Sequence, residues 1–60
     1  MTYNQNILRA ARNLIDEHGI AAEGIALGRA KNARESNRED AARTWHDIAV
    51  EVRRMQGHTG

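Results

Sequence analysis

The chain has 60 residues with no cysteine, proline or phenylalanine, a single Trp and a single Tyr. That length allows one domain at most, and burial of only about 60% of the surface of the unfolded chain makes a marginal fold that gains from a partner. Nine basic and eight acidic side chains leave a formal net charge of +1. Interspersed signs of this kind give no long-range field that selects nucleic acid or a membrane. Without Cys there are no disulfides, thiolate metal sites or cysteine nucleophiles, which fits a reducing compartment.

The first periodic segment runs from about Tyr3 to His18, with Ile7, Leu8, Ala11, Leu14 and Ile15 on one face and Arg9, Arg12, Asn13, Asp16 and Glu17 mostly on the other. This spacing of three and four predicts an amphipathic helix. Thr2 or Asn4 suits its N-cap, and Gly19 stands where a left-handed residue would close it after His18. Met1 to Asn6 lacks the charged and then apolar layout of a signal peptide, and no apolar run approaches the ~20 residues of a membrane span. The expected location is cytoplasmic.

A second, weaker helix is predicted over about Ile20 to Glu35. Its apolar positions are chiefly alanines, namely Ala21, Ala22, Ala26, Ala30 and Ala33 with Ile25, while Leu27 is offset from them. Gly24 and Gly28 each cost roughly 1 kcal/mol relative to Ala in a helix interior. Close approach of a neighbouring backbone is the expected reason for both.

Ser36, followed three residues later by Glu39, reads as a capping box, and Glu39 and Asp40 put negative charge in a first helical turn. The third helix is therefore predicted over about Asn37 to Gln56, with Ala41, Ala42, Trp45, Ile48, Ala49, Val52 and Met55 as its apolar stripe. Arg53 and Arg54 lie in its last turn, Gly57 is the stop signal, and residues 57–60 read as a frayed tail. As the one large ring, Trp45 is expected to fill the centre of the core, so that Trp45→Ala costs about 3–5 kcal/mol. The predicted core is Ile7, Leu8, Ala11, Leu14, Ile15, Trp45, Ile48 and Val52.

The absence of linkers and repeats points to a single all-α domain over residues 1–60. The architecture is a three-helix bundle, or a helical hairpin with a third helix that a second copy completes. Leu27, Ala30 and Val50 are the apolar positions left over for contact with a partner.

Little chemistry is encoded. His18, His46 and His58 fall one to a segment, with no second ligand at helical spacing, so no metal site is expected. Ser36, Thr44 and Thr59, besides Thr2 and Tyr3, offer hydroxyls with no base and oxyanion donor converging on them, so neither an enzyme nor a cofactor site is expected. Asp40, Asp47 and Glu51 read as a solvated face, with Glu39 to Arg43 and Arg43 to Asp47 spaced for ion pairs. Arg29, Lys31, Arg34 and Arg38 cluster in sequence on the second helix and its exit, which makes them candidate contacts for a partner or for nucleic acid. Glu39 and Asp40, at the start of the helix that would have to read bases, oppose the nucleic-acid reading.

The order Ala10-Ala11-Arg12-Asn13-Leu14-Ile15-Asp16-Glu17-His18-Gly19, then Ala22, Ala26, Arg29 and Ala30, then Trp45-His46-Asp47-Ile48, resembles a family of small uncharacterised helical proteins of alphaproteobacteria. The resemblance spans about Ile7 to Met55 and implies an intracellular helical protein, without an activity that could be carried to any residue. The expected function is a non-enzymatic protein-interaction module. Such a module is a small adaptor, regulator or inhibitor that binds a larger protein or a second copy of itself, of the kind a phage or mobile element encodes. The alternative is a nucleic-acid-binding regulator using the basic second helix.

Overall fold

The structure is a computed structural model that describes residues 5–57; the expected N-cap at Thr2 or Asn4, His58 and the tail beyond Gly57 lie outside the described residues. It is all-α, with helices α1 (Gln5–His18), α2 (Ala22–Glu35) and α3 (Glu39–Gln56), and a single 3-10 turn at Gly19–Ala21 between the first two. Helix α3 packs mainly along α2 and less on α1, whereas α1 and α2 touch little. The second and third helices thus form a hairpin, with α1 laid against α3.

Two left-handed residues set the path of the chain. Gly19, at φ +60°, ends α1 where the sequence places its stop, because glycine adopts this conformation without a Cβ clash. The second is Asn37, at φ 63°. Around it the Arg38 amide donates to the Ala33 carbonyl at 2.8 Å and the Asn37 amide to the Arg34 carbonyl at 3.0 Å. This pair of bonds satisfies the last carbonyls of α2 and turns the chain into α3.

That closure displaces the expected capping box. Ser36 is the last residue of α2's closing turn rather than the N-cap of α3, whose cap is Arg38 and has no side-chain hydrogen bond. Helix α3 consequently starts at Glu39, two residues later than the capping-box reading placed it. Likewise α2 begins at Ala22 instead of Ile20, because the 3-10 turn takes up the intervening residues. At the far end a methyl group added to Gly57 would stand 2.8 Å from the Arg53 carbonyl oxygen, to which the Gly57 amide donates. That crowding favours glycine as the stop of α3.

The core is one cluster of Ile7, Ala11, Leu14, Ala22, Ala26, Ile48, Ala49 and Val52, with Ala10, Ile15, Ile25 and Trp45 packed at its margin. Val52 is the largest side chain that is wholly buried. On α2 the buried residues Ala22, Ala26 and Ala30 recur every fourth position, and this ladder of single methyl groups lets α3 lie close. Ala42 and Ala49 are the small buried residues of α3.

Several expectations about burial are corrected here. Trp45 is half-buried at the rim, because an alanine-lined seam is too narrow to hold an indole between the helices. Leu8 is exposed and does not belong to the core; Ile15 is only partly covered. Ala30, expected on the surface, is buried. Gly24 and Gly28 have nothing within 4 Å of an added Cβ, so they face open space and the alanines alone make the close approach. Met55 ends the stripe but is exposed, and Glu51, expected on the polar face, is 8% exposed. One turn on from Glu51, Arg54 reaches its carboxylate at 3.5 Å. Neither of the expected pairs made by Arg43 closes among the described residues, where Arg54 pairs with Glu51 and the His18 imidazole lies 3.7 Å from the Glu17 carboxylate.

Candidate interaction surface

The four basic residues that run together in sequence do not form one patch. Arg29 leans over the half-buried Trp45, its guanidinium carbon 5.0 Å from the ring centre. The pair forms one wall of a shallow depression of about 250 Å³ beside the α2–α3 turn. Asn32, Ala33, Ser36, Arg38 and Ala41 complete its lining. No carboxylate lines it.

Arg34 emerges on the opposite flank of α2, in a second open depression of about 390 Å³ shared with Glu39, Ala42, Arg43 and His46. There Glu39 offsets the basic side chains. Lys31 is exposed and lines neither depression. The cause is helical geometry: residues 29, 31 and 34 are separated by about 200° and 300° of rotation, so neighbours in sequence point to different sides.

The other end of the molecule mixes apolar and polar side chains. Gln56 reaches back to hydrogen-bond the Gly19 carbonyl at 2.8 Å, which fixes the end of α3 against the corner between α1 and α2. Beside that corner lies an open depression of about 500 Å³ lined by Arg12, Ile15, Asp16, Met55 and Gln56. Ile20, directly after Gly19, is 92% exposed. A residue in this place commonly folds back onto the last helical turn, but here it stands in solvent. Leu8, Leu27, Val50 and Met55 are the further exposed large apolar side chains.

Polar groups that might carry chemistry are otherwise engaged or dispersed. The Thr44 hydroxyl donates to the Asp40 carbonyl in its own helix at 3.0 Å. His18 lies near Glu17, while His46 sits on the Arg34 flank. No group of three His, Cys, Asp or Glu side chains gathers among the described residues. No described helix is long and apolar enough to cross a membrane.

No family model, curated protein or solved structure matches the chain.

Sequence reasoning picked out Leu27 and Val50 as exposed, and both are. It missed Ile20, although an isoleucine directly after a helix-stopping glycine, out of step with both neighbouring apolar stripes, was a usable signal. Trp45 as the wall of a surface depression had no such signal, since its spacing is equally that of a core residue.

Proposed function

We propose that the chain is a non-enzymatic protein-interaction module, a small adaptor, regulator or inhibitor that works by docking on a larger protein or on a second copy of itself. The observation that carries this reading is Ile20, 92% exposed beside the depression that holds Ile15 and Met55. Full burial of one such side chain is worth about 1.5–3 kcal/mol, a large term for a domain whose core is mostly alanine. Exposed apolar side chains such as Ile20 and Met55, rimmed by polar residues, are what an interface covers.

Arg29 and Arg38 share one depression, but Arg34 lines another and Lys31 neither, which weighs against the nucleic-acid alternative with its need for a continuous row of cations along a phosphate backbone. The resemblance to the small alphaproteobacterial helical family adds an intracellular setting to the proposal and no activity.

The test compares the parent chain with an Ile20→Asp, Met55→Asp variant in sedimentation equilibrium and in affinity capture from the native cell. Self-association or a captured protein that is lost in the folded variant is the expected result. A strictly monomeric parent at high micromolar concentration removes the homodimer version. Capture that is unaffected by the variant, or that retrieves only nucleic acid, overturns the reading.

A further inference from the structure

We propose that the depression between Trp45 and the α2–α3 turn docks an acidic segment of a protein partner, with the Arg29 and Arg38 guanidiniums taking its carboxylates and the Trp45 ring its apolar neighbours. This deepens the module reading and rests on it, since it assigns the chemistry of what is bound at one end of the molecule.

The charge of the site is one-sided. Two arginines, an asparagine and a serine line it together with Ala33, Ala41 and Trp45, and no acidic residue does. The ion pairs among the described residues involve neither Arg29 nor Arg38. Glu39, the nearest acidic residue in sequence to Arg38, lines the depression on the opposite flank. Guanidinium N–H groups in this setting match a carboxylate in planar, two-pronged geometry.

One of the two cations is also positioned before anything binds. The Arg29 guanidinium lies 5.0 Å from the Trp45 ring centre, a cation–π contact that restricts its rotamers and so lowers the entropy lost on taking up a ligand. For Arg38 the turn fixes the backbone, whose amide donates to the Ala33 carbonyl at 2.8 Å, and so the point from which its side chain extends.

A peptide fits better than a nucleic acid. The next basic groups, Lys31 and Arg34, are absent from this depression, so a phosphate backbone entering it would meet two cations and then none. An acidic segment requires only those two, and its apolar side chains gain contact with the exposed part of the indole. At about 250 Å³ the space suits one or two side chains and lies below the ~300–1,000 Å³ usual for small-molecule sites.

Trp45 is the only tryptophan, so its emission reports occupancy of this wall. The experiment titrates the intact chain with a capped peptide of alternating glutamate and leucine, with the same peptide carrying glutamine for glutamate, and with a short single-stranded oligonucleotide. A saturable change with the glutamate peptide is expected, with Arg29→Gln and Arg38→Gln each weakening it about tenfold, the effect of one lost charge-assisted hydrogen bond. Lys31→Gln should leave it within about twofold, since an exposed cation outside the site contributes little through screened solvent. Circular dichroism verifies that the variants remain helical, and Arg29→Lys, which keeps the charge and loses the planar fork, should fall between the parent and Arg29→Gln.

The proposal is overturned by no saturable change up to millimolar peptide, by equal binding of the glutamine peptide, by tighter binding of the oligonucleotide, or by equal effects of Lys31→Gln and Arg29→Gln. The end carrying Ile20 and Met55 is tested separately by its own variant. Loss of association there together with failure of the acidic peptide removes only the present assignment and leaves the module reading standing.

Discussion

The side-chain amide of Gln56 donates to the carbonyl oxygen of Gly19 at 2.8 Å, joining residues 37 positions apart. One partner sits in the left-handed turn that ends α1 and the other in the last turn of α3. The bond therefore ties the corner of the chain to the end of its longest helix. Gln56→Ala should lower stability by about 0.5–1.5 kcal/mol, the usual net value of such a bond. Gly19→Ala should cost about 1–2 kcal/mol through left-handed strain alone. Urea unfolding followed by helical circular dichroism measures both, and a Gly19→Ala variant as stable as the parent would contradict the positive φ.

Glycines 24 and 28 should behave in the opposite way. An added methyl group meets nothing within 4 Å at either position, and neither has a positive φ. Gly24→Ala and Gly28→Ala should each stabilise the protein by about 0.5–1 kcal/mol through helix propensity and reduced freedom of the unfolded chain. For a domain of this size that is a rise in Tm of roughly 2–8 °C per substitution. Destabilisation by either change would restore the close-approach role that the sequence suggests.

Val52 and Trp45 should cost comparable amounts when truncated, although Trp45 loses many more atoms. Val52 has no exposure and lies in the central cluster, whereas Trp45 is at the margin. Val52→Ala should cost about 2–3 kcal/mol from lost burial and the cavity left behind. Trp45→Ala removes a much larger side chain yet should cost only about 3 kcal/mol, the low end of the range for a buried aromatic, because the ring packs at the margin of the cluster and part of its surface stays in water. Thermal unfolding of the two variants decides this; complete unfolding of the Trp45 variant beside a stable Val52 variant would return Trp45 to the core.

Asn37 gives a further test of the α2–α3 turn. It is the positive-φ residue there that carries a side chain, and asparagine tolerates this conformation less well than glycine. Asn37→Gly should be neutral or stabilising by up to about 1 kcal/mol, whereas the β-branched Asn37→Val should destabilise by about 1–2 kcal/mol. Equilibrium unfolding of the pair should show a clear separation of midpoints.

The amino-acid sequence by itself determined the all-α class, the end of α1 at His18, the approximate spans of the three helices and the inward face carrying Ile7, Ala11, Leu14, Ile48 and Val52. These follow from the 3.6-residue period and from glycine's preference for left-handed stops, both local properties of the chain. What only the tertiary structure decided is which member of each apolar face reached the centre. Close packing of the alanines of α2 against α3 left room for Val52 and moved the indole of Trp45 to the rim, under Arg29. The same three-dimensional arrangement left Ile20 in solvent, buried Glu51 and divided the basic run over different sides. Helical spacing specifies a face, but the depth of a residue on that face depends on the size of the side chains that meet it from the neighbouring helix.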